Sequence, residues 1–383
     1  MANTLTAILP VLQDAANTVA RELVGFIPAV YRNVSANRAG YNQTINYPVV
    51  PAFATASVTP AATPPAGADV VQGAGSIVMN QLRKTSWNFT GEEQRGLMNG
   101  DIAPYNDILK QTFAQAMRAL VNEMENTLWV AAYTGSSRAT GTAGNAPFGT
   151  AGDLSDFANI ARILDDNGAP ADNDRHLVLG GAAMVNLRGK QSVLFKVNES
   201  GTSDLLRRGV VGEVMGFQIH NSYPITQLTK GTGSAYVTSG STAVGVNSIA
   251  LVTGSGTVLA GDVVTFAADA NNKYVVTTGV AAPGTITIGT PGARVVIGTG
   301  NALTIGANYT PNIALHRNGL HLVMRAPDTG NDGAADTVEV TDDFSGLVFQ
   351  LARYGQYMQS SWEMRILYGV KAVKNDFIAT LMG

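Results

Sequence analysis

The chain has 383 residues, of which 45% are apolar and only 14% are charged, and its net charge is −3. This length favours two or three domains, and the apolar content excludes a disordered chain. The near-neutral charge gives no indication of strong charge-driven nucleic-acid binding. The absence of cysteine excludes disulfides and thiolate metal sites. We expect neither a signal peptide nor a transmembrane span, because the first ten residues lack Lys and Arg and no apolar run approaches about 20 residues.

The first quarter of the chain predicts a helix followed by a long hairpin. Apolar spacing indicates an amphipathic helix over residues 4–24, and period-two alternation indicates strands at Gln43–Val50 and Ile77–Phe89. The stretch Pro51–Gly75 between these strands is rich in Ala, Pro, Thr and Gly and cannot build a core of its own. An isolated two-stranded hairpin is marginally stable, so we expect this one to lie on another surface.

The strongest helical signal covers residues 103–133. A capping box precedes it, with Thr90 at the cap and Glu93 three residues later. Apolar residues then recur at steps of three or four: Leu109, Phe113, Met117, Leu120, Met124, Leu128 and Ala131. At about 1.5 Å per residue, such a helix is about 45 Å long and would serve as the backbone of the whole chain.

The second half of the chain predicts an α/β region interrupted by a β-rich insert. Helices are expected at Leu154–Asn167 and Ala182–Leu187, and strands at His176–Leu179, Phe217–Ile225, Thr337–Val340, Gly346–Arg353 and Trp362–Lys374. Residues 226–312 carry few charges and consist of short β-branched runs separated by turn signals such as Asp269–Asn272. This spacing predicts a small β-barrel or sandwich, inserted because the α/β pattern resumes at Asn312–Arg325.

Catalytic and metal-binding patterns are absent from the sequence. His316 and His321 are five residues apart, which suits no zinc pair on a helix. Glu123 and Glu125 lie two apart on the long helix and point in different directions, so they do not form a general acid and base pair. There is no phosphate-binding loop, dinucleotide fingerprint or nucleophile elbow. We therefore predict no enzyme activity, cofactor or metal.

The order of these parts resembles the Johnson fold of tailed-bacteriophage major capsid proteins. The residues 77–91 look like the return strand of that family's E-loop running into a helix, and Asn312–Ala326 also has the look of the family. The insert is similar to the I-domain of coat proteins from short-tailed Salmonella phages, with Val258–Phe266 and Tyr274–Thr277 resembling its core hairpin. The resemblance implies an α+β fold with an inserted small β-barrel.

This resemblance divides the chain into the parts of a capsid subunit. They are an N-terminal arm (1–40), an E-loop (41–90), the spine helix with the first part of the peripheral domain (91–150), the axial domain (151–225 and 313–345), the I-domain (226–312) and peripheral C-terminal strands (346–383). The resemblance further implies assembly in the host bacterial cytoplasm into the pentamers and hexamers of an icosahedral virion. Implied partners are other copies of the chain, a scaffolding protein and a portal, with DNA enclosed but not bound by sequence, and no membrane.

Five residues are candidates for contacts between subunits. Arg83 and Lys84 lie on the predicted E-loop, and Glu92 and Glu93 lie at its base, so their charges are suited to inter-subunit ion pairs. Trp87 on the same strand is the fifth candidate. Each exposed pair would contribute only about 0–1 kcal/mol, and many repeats in a shell would add up.

Two other classes of protein are alternatives. The Thr-, Gly- and Ser-rich residues 226–312 suit a secreted or surface protein such as an adhesin or an S-layer subunit. The lack of a signal peptide and the long helix argue against it. A carbohydrate-active enzyme would need paired carboxylates in a cleft, and no such pair stands out.

Overall fold

The protein is a mixed α+β structure, as the sequence predicts. The computed structural model describes residues 9–20, 25–49, 55, 57–60, 67, 71–97, 103–191, 211–328, 330, 333–334, 336–342 and 345–383. The helices within these residues are α1 (Leu9–Ala20), α2 (Phe26–Ala29), α3 (Gly91–Leu97), α4 (Ala103–Thr134), α5 (Ser155–Asp166) and α6 (Gly181–Lys190). The ends of the helix predicted over 4–24 and most of Pro51–Gly75 lie outside the described residues.

The strands of the described chain form two large sheets and one hairpin. They are β1 (Tyr31–Ala39), β2 (Thr44–Val49), β3 (Gly73–Val78), β4 (Gln81–Thr90), β5 (Arg138–Gly141), β6 (Arg175–Leu179), β7 (Glu213–Val214), β8 (Phe217–Asn221), β9 (Val237–Thr238), β10 (Ser248–Val252), β11 (Val263–Phe266), β12 (Asp269–Thr278), β13 (Thr285–Ile288), β14 (Leu303–Ile305), β15 (Pro311–His316), β16 (Leu320–Pro327), β17 (Asp336–Thr341), β18 (Val348–Gln356), β19 (Gln359–Ala372) and β20 (Ile378–Met382).

The long helix α4 organises the main core. It has 32 residues, so the predicted long helix is confirmed, with a length of about 48 Å at 1.5 Å per residue. The predicted stripe is buried, with Leu109, Phe113, Met117, Leu120, Met124 and Leu128 each at most 2% exposed. This stripe packs against α1 and one face of the smaller sheet.

The smaller sheet has six strands in the order β1-β16-β19-β18-β17, with β4 also paired to β19. Strand β4 pairs along its whole length, from Gln81 opposite Tyr368 to Thr90 opposite Gln359. Strand β1 runs parallel to β16, from Tyr31 opposite His321 onward. The segment predicted as a helical arm therefore also contributes an edge strand to this sheet.

The larger sheet has twelve strands and includes the order β7-β8-β6-β15-β20-β5-β12. Its central strands β6, β15 and β20 are buried along their full lengths. Helices α5 and α6 supply a second core with this sheet, built from residues such as Phe157, Ile160, Leu177, Leu187 and Leu381. The helices and strands predicted in this region are present, although β8 ends at Asn221 and not at Ile225.

Residues 226–310 form a β-rich unit with a core of its own. Strands β8 and β15, which precede and follow this unit in the chain, flank β6 in the larger sheet. Strands β9–β14 enclose a separate cluster that includes Tyr236, Ile249, Phe266, Tyr274 and Ile286. Strand β12 joins the unit to the rest of the larger sheet by pairing with β5.

Two local predictions are wrong. The strand predicted over Ile77–Phe89 is broken after Val78, because Met79 turns inward to full burial and its backbone bonds with Asn42 and Gln43. The turn predicted at Asp269–Asn272 lies within β12, because the Asp269 carboxylate is buried and accepts hydrogen bonds inside the structure.

A buried carboxylate on α4 binds the backbone of the segment that precedes β1. Glu125 is 7% exposed and accepts hydrogen bonds from the backbone N–H groups of Phe26 and Ile27, both at 2.8 Å. It accepts a third from Ser222 Oγ at 3.0 Å. A Cβ at Gly25 would overlap this carboxylate, so the chain approaches α4 closely at that point. Glu125 therefore joins three segments that are distant in sequence.

Candidate inter-subunit surface

The hairpin β2–β3 is anchored at its base and exposed beyond it. Ile77 and Met79 pack with Val323 and Leu367 in a small core, and Lys371 Nζ donates to Ser76 O at 2.8 Å. The two strands form a separate two-stranded sheet. The described part of the chain therefore leaves both hairpin edges without a strand partner.

Apolar side chains on this hairpin and its connecting segment face solvent. Val58 is 96% exposed and Val71 is 79% exposed, and Val49 at the end of β2 is 45% exposed. Part-way along the hairpin, the Tyr47 ring lies over Gly75, where a Cβ would overlap the ring. Exposed strand edges with apolar side chains are typical of surfaces that pair with another chain.

Arg83 and Lys84 form ion pairs within the chain. Arg83 Nε lies 2.8 Å from Glu123 Oε1 on α4, and Lys84 Nζ lies 3.0 Å from Glu363 Oε2 on β19. Glu363 also contacts Arg365 Nε at 2.5 Å. The Arg83 and Lys84 side chains are 46% and 63% exposed, so both remain accessible at the surface.

Glu93 caps its own helix, and Glu92 lies beside it. Thr90 N donates to Glu93 Oε2 at 2.9 Å and Glu93 N donates to Thr90 Oγ1 at 3.2 Å, which confirms the predicted capping box. These bonds with Thr90 lower the pKa of the exposed Glu93 carboxyl. Glu92 is exposed and lines a cleft of about 400 Å³ with Arg95 and Met358.

Trp87 faces the main core. Its ring lies 5.8 Å from that of Phe113, which in turn lies 6.1 Å from the ring of Trp362. Trp87 and Trp362 are directly opposite each other in the pairing of β4 with β19. Trp87 is half-buried, and its position fixes β4 on α4.

Sequence reasoning missed an exposed apolar tip between β18 and β19. Tyr357 is 92% exposed and Met358 is 66% exposed, and Met358 adopts a φ of 54°. Met358 O accepts a hydrogen bond from Gly91 N at 3.0 Å, which places this tip next to Glu92. The signal available in the sequence was a Tyr-Met pair between two strands, where polar turn residues are usual.

Three histidines pair with each other or with a carboxylate, and His321 packs against the ring of Tyr31. His176 Nδ1 lies 2.9 Å from His220 Nε2, and His316 Nε2 lies 3.1 Å from Asp172 Oδ1. Burial, followed by the neighbouring His220, lowers the pKa of His176 to about 3. Among the described residues, no group of three or more His, Cys, Asp or Glu side chains could hold a metal ion.

The described helices include none that is both long and apolar enough to cross a membrane. No protein-family model matches the sequence, and no curated protein matches it.

Solved structures do match. The capsid structure of the cyanophage P-SCSP1u is similar to the chain, with a TM-score of 0.51 and 12% identity, covering 94% of this chain and 88% of that one. The chain has the fold of a phage capsid protein. The mature capsid of bacteriophage PhiM1 matches with a TM-score of 0.47 and 13% identity, covering 94% of this chain and 87% of that one. A structure from Mycobacterium phage Che8 matches with a TM-score of 0.47 and 12% identity, covering 94% and 91%.

Within this phage capsid fold, the five candidate residues divide into two groups. Trp87 and Glu93 have clear roles inside the subunit, in core packing and helix capping. Arg83, Lys84 and Glu92 carry charge at the surface, and the first two already have partners on α4 and β19. The structure does not bring the two basic residues into ion pairs with Glu92 or Glu93.

Proposed function

We propose that this chain is the major capsid protein of a tailed bacteriophage. In this proposal it assembles into the pentamers and hexamers of an icosahedral head that encloses double-stranded DNA without reading its sequence. Assembly takes place in the host cytoplasm with a scaffolding protein and a portal. Residues 226–312 serve as an I-domain, and the division into arm, E-loop, spine, peripheral and axial parts follows the boundaries given above.

The observation that carries this proposal is the hairpin β2–β3 with its connecting segment. Its base is held by a small core, whereas Val58 and Val71 beyond that base are 96% and 79% exposed. Burying such side chains contributes about 1.5–3 kcal/mol each relative to leaving them in water. A neighbouring copy that covers the hairpin would supply this burial at every repeated contact of a shell.

The first test compares two triple variants by negative-stain electron microscopy and light scattering, with and without a scaffolding protein from the same source. The hairpin variant carries Val49→Ser, Val58→Ser and Val71→Ser. The matched control carries Val185→Ser, Val244→Ser and Val296→Ser, which are 70%, 58% and 59% exposed on other elements. We expect closed shells from the wild type and the control, and unassembled but folded subunits from the hairpin variant. A wild-type chain that stays monomeric with the scaffolding protein would refute the capsid role and favour a surface protein.

We also propose that Lys84 and Arg83 contribute to contacts between subunits. A charge swap separates this role from the pair inside the chain for Arg83. Arg83→Glu places like charges beside Glu123, and adding Glu123→Arg restores the internal pair. If Arg83 acts between subunits, the double variant folds normally and still fails to assemble. Recovery of assembly by the double variant would instead limit Arg83 to its internal pair. Lys84 is tested with Lys84→Gln, because a swap with Glu363 would place a lysine beside Arg365, which Glu363 also contacts. Lys84→Gln should fold with the stability of the wild type and assemble less readily, and unchanged assembly would contradict a contact between subunits.

A further inference from the structure

A polar cleft lies where residues 226–310 join the larger sheet. It has a volume of about 140 Å³ and is lined by β5, α5 and the start of β12. This volume far exceeds the roughly 15 Å³ of probe-occupied space that a single water molecule requires. The cleft is therefore large enough for a ligand of several heavy atoms.

Positive charge dominates the lining. Arg138, Arg162 and Lys273 line the cleft, and among these the Arg138 guanidinium is paired with Asp166 at 3.3 Å. Burial, and then the nearby charge of Arg294, lowers the pKa of Arg138. Burial also lowers the pKa of Lys273. Burial is thus the main cause of both depressed pKa values.

Arg162 and Lys273 keep hydrogen-bond donors available in the cleft. Arg138 is 4% exposed, and its Nε is buried without a hydrogen-bond partner. Lys273 Nζ uses one donor on Gly141 O at 2.6 Å, and the Arg162 guanidinium has no partner among the described residues. The Arg138 Nη2 group is engaged with Asp166 Oδ2 and Asn167 Oδ1. The exposed Arg162 guanidinium, beside two further cations in one cleft, is therefore the group best suited to bind an oxyanion.

The buried acid Asp269, next to these donors, is already engaged. The Asp269 carboxylate accepts from Asn272 Nδ2 at 3.0 Å and from Tyr274 OH at 2.5 Å. Asn272 Oδ1 in turn accepts from Arg138 Nη1 at 3.1 Å, which holds the guanidinium in place. The Arg138 guanidinium is thus positioned before any ligand arrives, which reduces the entropy cost of binding.

We propose that this cleft binds a small oxyanion of the phosphate or sulfate class, held by Arg138, Arg162 and Lys273. The anion bridges α5, β5 and β12, and so ties the β-rich unit of residues 226–310 to the larger sheet. Its binding strengthens the attachment of that unit, because an anion that binds only the folded chain stabilises it. This site does not depend on the capsid role.

Calorimetric titration of the full chain with inorganic phosphate tests the site, with chloride at matched ionic strength as the reference. We expect saturable binding of one phosphate and a higher thermal unfolding midpoint in phosphate than in chloride. Arg162→Gln removes one charged donor from an exposed side chain and should weaken phosphate binding about tenfold or more, because hydrogen bonds to charged groups contribute strongly. The variant should keep the wild-type circular dichroism spectrum.

Arg188→Gln on α6 is the matched control, since it removes one exposed arginine that does not line the cleft. Its phosphate affinity should equal that of the wild type. Equal affinity in Arg162→Gln and the wild type would overturn the assignment, as would the absence of phosphate binding to the wild type. A loss of affinity in Arg188→Gln equal to that in Arg162→Gln would show general charge screening and would also overturn it.

Discussion

Replacing Glu125 with alanine should strongly destabilise the subunit. The substitution leaves the N–H groups of Phe26 and Ile27 without their acceptor in a buried site. Each orphaned buried donor costs about 1–3 kcal/mol, which gives about 2–6 kcal/mol for the pair. Removal of a buried carboxylate offsets part of this cost, because burial penalises its charged form. We expect a net loss above about 1 kcal/mol, which exceeds the contribution of an exposed ion pair.

Glu123 provides the control on the same helix. Its carboxylate pairs with Arg83 at the surface, where the two side chains are 42% and 46% exposed. Glu123→Ala should therefore cost only about 0–1 kcal/mol. Urea unfolding of the unassembled subunit, followed by circular dichroism, measures both variants. Equal stability of the two alanine variants would refute the assignment of Glu125 as a buried acceptor.

The pH dependence of the same site provides a second measurement. Burial raises the pKa of Glu125 above its ordinary value of 4.5, and its hydrogen bonds with Ile27, Phe26 and Ser222 only partly oppose this shift. The folded chain therefore holds the proton more tightly than the unfolded chain. This contribution to stability is complete below pH 4.5 and is lost as pH rises through the raised folded pKa. The stability of the wild type relative to Glu125→Gln should fall over that interval, and a constant difference would contradict the raised pKa.

Three further changes test local features of the surface. Thr90→Ala should cost about 1 kcal/mol in urea unfolding through loss of the capping box, while Thr90→Ser should retain the stability of the wild type. Met358→Gly should raise the thermal midpoint, since it relieves the roughly 1–2 kcal/mol cost of a side chain at a φ of 54°. Gly75→Ala should displace the Tyr47 ring, whose outer atoms its Cβ overlaps, and an unchanged NMR signal of the Tyr47 ring would contradict that contact.

Features set by local periodicity could be predicted from the sequence. The stripe from Leu109 to Leu128 has helical spacing and is buried, and the Thr90–Glu93 capping box forms as expected. The separate core of residues 226–310 also follows from its short β-branched runs. Each of these signals depends on residues that are close in the chain, so no knowledge of distant partners is needed.

Pairing between distant strands could not be predicted in the same way. Alternation tells which side chains share a face but not which strand lies alongside. The five residues Ile378–Met382 therefore gave no hint that they would pair between β15 and β5. The pairing of β4 with β19 could not be predicted either, and neither could the ion pair between Lys84 and Glu363 that depends on it. Similarly, Asp269–Asn272 has turn chemistry, and a buried hydrogen-bond network overrides it.

The internal ion pairs limit the free energy that Arg83 and Lys84 can contribute to contacts between copies. For Arg83 or Lys84 to bind a neighbouring copy, each must leave or share its acid on α4 or β19. An exchange between two partly exposed pairs changes the free energy by no more than about 1 kcal/mol, because each pair contributes about 0–1 kcal/mol. Burial of one valine on the hairpin contributes about 1.5–3 kcal/mol. Apolar burial of the hairpin should therefore provide the affinity between copies, while the ion pairs, being directional and easily exchanged, should select the orientation in which the copies meet.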